Sequence, residues 1–159
     1  MSSIDLKIKK AEEEKDFEQA KTLFKEYADS LSYTLDIQGF QKEVENLPGE
    51  YAPPDGFILL AFVEDQLAGC VALKKLNEET CEMLRMFVRP DFRQKGVGRA
   101  MAEKTIEEAR KIGYKKMWLD MVESMKNALG LYQSLGFSKI KPFREISRGN
   151  AVFMELNLE

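Results

Sequence analysis

The fold is decided by residues 80–122, which read TCEMLRMFVRPDFRQKGVGRAMAEKTIEEARKIGYKKMWLDMV. The apolar run up to Pro90 predicts a β-strand. Residues 99–112 place small and apolar side chains on one face and charges on the other, which predicts an amphipathic helix. Gly113 ends that helix, and residues 115–122 read as another strand. Strand, helix and strand in this order imply a right-handed crossover, so the two strands should form a parallel pair.

Antiparallel strands precede this unit. Two apolar runs, at residues 57–63 and 67–76, flank a turn at residues 64–66, which predicts a hairpin. The strand that ends at Pro90 extends the hairpin into a meander, and residues 4–9 alternate apolar and polar side chains as a first strand would.

Two helices should lie between the first strand and the meander. Apolar residues recur at helical spacing from just after Asp16 to Leu31, and Asp16 with Gln19 predicts a capping box. A shorter helix stops at Pro48, and residues 47–56, with three prolines and two glycines, read as a loop.

The last part of the chain predicts one more helix and two strands. Ser124 is a candidate helix cap, Gly136 closes the helix, and residues 138–142 and 151–158 read as strands. No linker or repeat interrupts the chain, so residues 1–159 should form one α/β domain with a mixed sheet flanked by helices.

The composition fits a globular protein and excludes several kinds of catalysis. The 159 residues are 44% hydrophobic and 32% charged, and the net charge is −3, which argues against a protein that coats nucleic acid or acidic lipid. Histidine is absent, which excludes Ser-His-Asp and Cys-His catalysis and histidine-containing zinc sites. We expect no metal and no nucleic acid partner.

The cysteines and the N-terminus predict a cytoplasmic protein. Cys70 and Cys81 lie in apolar runs, which favours buried free thiols over a disulfide or an acyl-enzyme thiol. Residues 1–10 lack the apolar core of a secretory leader. No apolar run approaches the ~18 residues of a membrane span, so we expect no membrane association.

A basic, glycine-containing segment carries the chemistry. The segment Arg85–Arg99 has five basic residues and one acid, a charge of +4, while the rest of the chain sums to −7. Gly96 and Gly98 leave backbone N–H groups uncovered where the predicted helix begins. Such amides and the helix dipole bind phosphate or diphosphate; the alternative is a flexible turn with a solvated basic rim.

Two familiar phosphate-binding motifs fit this segment poorly. GVGRAM, with Asp120 at the end of the next strand, nearly matches the dinucleotide fingerprint, but Met101 replaces its third small residue. The stretch between Val88 and Gly96 is also too long for the tight turn, and only one parallel crossover is available. The P-loop pattern GxxxxGK[ST] is absent.

The arrangement resembles the GNAT superfamily of N-acetyltransferases. The family signature, Gln/Arg-x-x-Gly-x-Gly/Ala between a strand and a helix, is matched by Arg93, Gly96 and Gly98. NALGLYQSLGF, at residues 127–137, resembles a second family motif, Asn-x-x-(x)-x-Tyr-x-x-x-Gly-Phe. Over residues 4–158 the resemblance implies a mostly antiparallel sheet of about seven strands, about four helices and one parallel pair that splays apart.

The resemblance implies that acetyl-CoA binds as co-substrate between the fourth and fifth strands. Backbone groups around Phe87 and Val88 would pair with the pantetheine arm as an added strand would. Asn127 matches a position that often touches the pantetheine. The diphosphate would be held by the amides of Gln94, Lys95, Gly96, Val97, Gly98 and Arg99, with attraction from Arg93, Lys95 and Arg99.

The resemblance also suggests catalytic residues. Tyr132 matches the usual general acid, which would protonate the leaving thiolate, although its apolar stripe is equally typical of a packed tyrosine. Glu82 matches a position where some members place a general base; the alternative is a solvated charge on the strand face. The oxyanion would meet a backbone N–H near Val88.

The acceptor is specified least. In the family, acceptors pass the first two helices and the last turn, which here hold Tyr33, Tyr51 with its proline-rich arm, and residues 143–150. Tyr51 and its arm could form a lid or an exposed loop, and Arg144 and Arg148 could bind an acceptor carboxylate or belong to a solvated basic loop.

The resulting interpretation is an N-acetyltransferase that transfers acetyl directly to a primary amine of a small molecule, such as an amino acid. Acetylation of a protein N-terminus or lysine, and a non-catalytic acyl-CoA-binding module, are the alternatives. C-terminal strands in this family often pair, so the resemblance also allows a homodimer.

Overall fold

The computed structural model describes residues 4–31, 37–122, 126–144 and 151–159. Within them, seven strands and four α-helices follow one another in the predicted order. The strands are β1 Leu6–Lys10, β2 Phe57–Val63, β3 Gln66–Lys75, β4 Thr80–Val88, β5 Lys116–Val122, β6 Ser138–Ile140 and β7 Ala151–Asn157. The helices are α1 Glu14–Ser30, α2 Ile37–Glu45, α3 Val97–Ile112 and α4 Lys126–Ser134, with short 3-10 turns at Gly49–Tyr51 and Pro90–Phe92.

All seven strands form one sheet in the order β1-β2-β3-β4-β5-β7-β6. Every neighbouring pair is antiparallel except β4 and β5, which run parallel and are connected by α3. This mixed sheet with one parallel pair confirms the predicted α/β fold.

The parallel strands pair over three residues and then separate. Residues 80–82 of β4 lie opposite residues 116–118 of β5, where the pairing of the described residues stops. Because β4 continues to Val88 and β5 to Val122, the C-terminal half of β4 has an open edge inside the sheet. We call the gap between the two strands the wedge.

A β-bulge interrupts β4 next to the wedge. Cys70 and Ala72 of β3 lie opposite Phe87 and Leu84, so β4 has one more residue than β3 over this stretch. Arg85, in the bulge, has a φ of +61°, which is uncommon for a residue other than glycine. A bulge of this kind bends the strand and redirects a side chain.

The sheet has a hydrophobic core on each face. α3 and α4 cover one face, where Met101 and Ala102 are fully buried. α1 and α2 cover the other face, where Leu23 and Phe24 are fully buried. None of the helices in the described ranges is long and apolar enough to cross a membrane.

Both cysteines are buried free thiols, which confirms the prediction. Burial raises the pKa of Cys70, and it raises the pKa of Cys81 to about 12. Neither thiol therefore ionises appreciably near neutral pH, as expected of structural cysteines.

Helix α1 begins at Glu14, so the predicted capping box of Asp16 and Gln19 is wrong. Asp16 lies inside the first turn, where its carboxylate accepts hydrogen bonds from the N–H groups of Glu12 and Glu13 at 2.9 and 3.1 Å. Burial alone would raise the pKa of Asp16, but hydrogen bonds to the carboxylate outweigh burial and lower it. Asp16 binds the N–H groups that precede the helix, but it does so as the third residue of the helix. From the sequence alone, such an aspartate is easily mistaken for the N-cap. The other predicted cap, Ser124, lies outside the described residues.

Candidate active site

Among the described residues, none pairs as a strand with the main chain around Phe87 and Val88 on the wedge side. Its other side pairs with β3, where Phe87 lies opposite Cys70 and Val88 opposite Gly69. Arg93 Nε donates a hydrogen bond to the Val88 carbonyl at 2.8 Å, and its guanidinium lies 5.8 Å from the centre of the Phe87 ring. An extended ligand can add to such an open edge as a further strand.

The N-terminus of α3 lies against the end of β4. Gly96 is the N-cap, with a φ of +82° that suits glycine. The first helical hydrogen bond runs from Ala100 to Gly96 at 3.0 Å, and the amides of residues 97–99 have no acceptor among the described residues. A Cβ added at Gly98 would lie 3.7 Å from Val88 Cγ2, so this first turn adjoins the wedge.

Basic side chains surround these free amides. Arg93, Lys95 and Arg99 are exposed, and Arg99 also donates to Ser134 Oγ of α4 at 2.9 Å. The φ of Gln94 is +62°, which turns the chain just before the helix. Free amides at a helix N-terminus with a basic rim fit a diphosphate, and the open edge fits an extended arm. Of the residues that the sequence assigned to acetyl-CoA, Phe87, Val88, Arg93 and Gly98 lie next to one another.

Tyr132 of α4 is buried at the wedge. Its ring packs edge-to-face on Phe137 at 5.6 Å between ring centres, and burial raises its pKa, with a smaller contribution from Tyr27. Tyr27 belongs to α1 on the opposite face of the sheet and packs edge-to-face on Phe87 of the open edge at 6.5 Å between ring centres, so its effect on the pKa of Tyr132 places the Tyr132 hydroxyl near this edge. No residue within the described ranges accepts a hydrogen bond from the Tyr132 hydroxyl, which stays protonated at neutral pH. Asn127 is exposed at the start of α4.

Glu82 is buried, so the expectation of a solvated charge on the strand face is wrong. Both carboxylate oxygens accept hydrogen bonds from Arg144, one of them at 2.9 Å, and Lys74 Nζ lies 3.9 Å away. Arg144 also donates to Asp120 at 3.2 Å. Arg144 therefore binds two carboxylates of the protein, while 36% of its side chain stays exposed. Arg148 lies outside the described residues.

Tyr51 is a core residue, and the expected lid is wrong for this side chain. It is 2% exposed, packs edge-to-face on Phe24 at 6.1 Å, and donates a hydrogen bond to Glu43 at 2.8 Å. Burial raises the pKa of Tyr51. The other tyrosine named for the acceptor, Tyr33, lies outside the described residues.

Arg85 is the site residue that sequence reasoning missed. It counted only as one of several basic residues, yet it lies in the bulge and binds both carboxylate oxygens of Glu43 at 2.9 and 2.8 Å. Burial alone would lower its pKa, but the hydrogen bonds and charge of Glu43 outweigh burial and raise it. The feature of the sequence that could have identified Arg85 is its position as the single charged residue in the apolar run MLRMFV, at residues 83–88.

Within the described ranges, no group of three or more His, Cys, Asp or Glu side chains could hold a metal ion.

A family model described as the acetyltransferase (GNAT) family matches residues 17–137. An uncharacterised N-acetyltransferase of Schizosaccharomyces pombe is 33% identical over 145 residues, which cover 90% of this chain and 89% of that protein. The Salmonella typhimurium protein yncA, solved with its cofactor acetyl-CoA, has a TM-score of 0.74 and 19% identity, over 98% of this chain and 95% of that chain.

A further relative is the ribosomal protein bS18-alanine N-acetyltransferase of Escherichia coli. It is 39% identical over 64 residues, which cover 40% of this chain and 42% of that protein. The solved structure of the Escherichia coli ribosomal-protein-S18-alanine N-acetyltransferase has a TM-score of 0.71 and 20% identity, over 96% of this chain and 94% of that chain.

Proposed function

Because this chain belongs to the acetyltransferase (GNAT) family, whose members are N-acetyltransferases that use acetyl-CoA, we propose that it transfers acetyl directly to a primary amine of a small molecule. One observation carries the proposal: a protonated, buried tyrosine lies at the wedge, beside an open strand edge and a helix N-terminus with free amides.

The proposed binding mode of acetyl-CoA follows from these parts. The edge at Phe87 and Val88 would pair with the pantetheine arm, and Asn127 would contact the arm from α4. The amides of residues 94–99 would hold the diphosphate. Arg93, Lys95 and Arg99 would contribute long-range attraction, which salt should weaken.

In the proposed reaction, the neutral amine attacks the thioester carbonyl while both substrates are bound. The new C–N bond forms, the C–S bond breaks, and the Tyr132 hydroxyl gives its proton to the leaving thiolate. A backbone N–H near Val88 would stabilise the oxyanion. Glu82 is the proposed base, and since Arg144 occupies both of its oxygens, it would accept the amine proton through a water molecule.

The acceptor would approach from the face that α1 and α2 cover, which we call the acceptor face, because the α3 amides lie on the other side of the wedge. Glu82, Arg85 and Arg144 belong to this face. Their ion pairs indicate a polar acceptor, because a fully apolar one would gain nothing from them.

A second candidate, acetylation of a protein N-terminus, is favoured by the ribosomal-protein relative. Assays that compare free amines with short peptides of the same N-terminal residue should distinguish the two candidate functions. If the first proposal holds, the small molecule is the preferred substrate. Lysine acetylation would show as activity on an internal lysine of the peptide. A homodimer and a cytoplasmic location stay predictions from the sequence.

The decisive experiment measures CoA thiol release over a broad panel of primary amines, beside calorimetric titration with CoA. We expect CoA binding and turnover with at least one class of small amine. Binding without turnover on any amine or peptide would support the alternative of a non-catalytic acyl-CoA module. Absence of binding would contradict both proposals.

A further inference from the structure

Arg85 is a largely buried arginine that the proposed reaction does not use. It lies in the β4 bulge, between Glu82, the last residue paired with β5, and Phe87 of the open edge. Its φ of +61° is a strained backbone conformation, which proteins tend to keep where a side chain must point in one particular direction. Here that direction is the acceptor face at the apex of the wedge.

The surrounding residues fix the guanidinium. Nε and Nη2 donate to the two carboxylate oxygens of Glu43 at 2.9 and 2.8 Å, and Glu43 also accepts a hydrogen bond from Tyr51. Cζ of Arg85 lies 5.9 Å from the ring centre of Tyr27 and 5.3 Å from that of Phe40. A side chain held in this way loses little conformational entropy when it binds a ligand.

Nη1 is the unused part of this guanidinium. In the part of the chain that the structure describes, no group accepts a hydrogen bond from it, and 18% of the side-chain surface is exposed. An arginine presents its donors as a rigid planar fork that suits carboxylate oxygens. Nη1 therefore offers preoriented donors beside the wedge.

The described ion pairs nearest Arg85 contain equal numbers of cations and carboxylates. The pair Arg85–Glu43 and the neighbouring group Lys74, Glu82, Arg144 and Asp120 together hold three of each, and each of these side chains is at most 36% exposed. A zwitterion with one ammonium and one carboxylate keeps this balance, whereas a bare cation or a dianion would leave a partly buried charge uncompensated.

We propose that Arg85 Nη1 binds a carboxylate of the acceptor, and that the acceptor is a free amino acid. This inference rests on the proposed function and narrows its acceptor to amines that carry a carboxylate. Arg85 is then a residue that determines specificity, while Glu43 fixes its orientation.

A purely structural role for Arg85, as a clamp between α2 and β4, predicts different kinetics. A clamp supports every acceptor equally, so its loss lowers turnover with all of them. A carboxylate-binding residue supports only acceptors with that group. The ratio of kcat/KM between a free amino acid and its amide therefore separates the two roles.

The experiment compares each common amino acid with its carboxamide in the wild type and in Arg85→Gln. The carboxylate makes the neighbouring amine harder to deprotonate, so intrinsic reactivity favours the amide, and a preference for the acid reports recognition. We expect the wild type to prefer the best acid by about tenfold or more. Arg85→Gln should lower kcat/KM for the acid by about tenfold to hundredfold and change that for the amide by less than about twofold.

Arg89→Gln is the matched control, because Arg89, directly after β4, makes the same two-bond contact with Glu26, at 2.9 and 2.8 Å. It should leave the ratio of acid to amide unchanged. If Arg85→Gln does not fold, Arg85→Lys keeps the charge without the planar fork and should keep only part of the preference. Thermal unfolding of each variant monitors folding.

Equal kcat/KM values for acids and amides in the wild type would overturn this inference, as would an equal loss on both in Arg85→Gln. In either case acetyl transfer itself would still be measured. If CoA binds but no amine is acetylated, the proposed function fails instead, so the two failures are distinguishable.

Discussion

Tyr132 combines burial with a hydroxyl that no described residue binds and whose proton is retained at neutral pH. A buried phenol usually has a hydrogen-bond partner. Here the missing partner is explained if the leaving thiolate takes that place during the reaction. The packing on Phe137 and the proposed catalysis are compatible, because one fixes the ring and the other uses the hydroxyl.

Tyr132→Phe should therefore lower kcat by at least about tenfold and leave the affinity for CoA unchanged, because only the donated proton is lost. CoA thiol release gives the rate and calorimetry gives the affinity. Tyr114→Phe is the control: it removes a 2.6 Å hydrogen bond to the Asp55 carbonyl, which should cost about 1 kcal/mol of stability and leave kcat intact. An unchanged kcat in Tyr132→Phe would remove this residue from the mechanism.

Glu82 differs from Tyr132, because its carboxylate is bound by Arg144 and lies near Lys74. Glu82→Gln leaves Arg144 and Lys74 beside an uncharged amide, so the free energy of unfolding should fall by about 3 kcal/mol. Urea unfolding at pH 7 measures this. Glu78→Gln is the control, since its pair with Lys75 is exposed and should contribute less than about 0.5 kcal/mol. A stable Glu82→Gln variant with little turnover would mean that the carboxylate serves catalysis and not the fold.

These ion pairs could not be predicted from the sequence, although other single residues of the site could. The family motifs identified Tyr132 and the glycines, because local spacing carries that information. Glu82 and Arg144 are 62 positions apart and Arg85 and Glu43 are 42 apart, so no local pattern connects them. Burial of Glu82 was unpredictable for the same reason.

Among the elements, the position of the C-terminal end of β4 depends on how closely β3 approaches it. A Cβ added at Gly69 of β3 would lie 2.6 Å from the Phe87 carbonyl oxygen and 3.0 Å from Met101 Cε. A side chain there must push β4 away from β3, whereas the flexible end of Met101 can turn aside. The proposed binding edge would move with β4.

Gly69→Ala should therefore destabilise the fold by about 1–3 kcal/mol and weaken CoA binding several-fold, measured by urea unfolding and calorimetry. Gly130→Ala is the matched control: a Cβ in this α4 position meets nothing within 4 Å. That variant should gain about 0.5–1 kcal/mol of stability from helix propensity. Unchanged CoA affinity in Gly69→Ala would argue that the β4 edge does not bind the pantetheine arm.

The elements themselves were largely predictable, because their hydrophobic periods differ. The hairpin turn at Glu64 and Asp65 joins two apolar runs, and both residues have the positive φ of a tight two-residue turn. The bulge at Arg85 was not predictable, because one extra residue in an apolar strand leaves no periodic signal that a short run can reveal.

At the scale of the whole molecule, Glu108 joins the edge strand β1 to α3. Its carboxylate lies 2.7 Å from Lys10 Nζ and 3.1 Å from Lys111 Nζ. Hydrogen bonds to Lys10 and Lys111 lower its pKa from 4.5 to about 2. This stabilisation is present above the unfolded pKa of 4.5 and is lost as the pH falls from there to about 2, because the unfolded chain binds the proton first.

Glu108→Gln should lower the free energy of unfolding by about 1 kcal/mol at pH 7. The difference from the wild type should shrink as the pH falls below 4.5, measured by urea unfolding at a series of pH values. Glu107→Gln, on the more exposed side of α3, should cost less than about 0.5 kcal/mol at pH 7. A difference that stayed constant down to pH 2 would contradict the ionic origin of the effect.

The topology as a whole followed from the sequence, since short connections make neighbouring strands antiparallel and α3 enforces one parallel crossover. The wedge was expected only from the family resemblance. The β4–β5 pairing stops at Glu82, just before the bulge, and both features arise only in the assembled sheet.

Trp118 is the single tryptophan of the chain, and it lies on the acceptor face. Its ring stacks on Phe143 at 4.7 Å between ring centres, next to Arg144, and its indole N–H donates to Glu155 at 2.9 Å. All indole emission therefore originates from one place in the molecule. Titrating amino acids against this intrinsic fluorescence would follow their arrival without a dye, a coupled assay or any turnover.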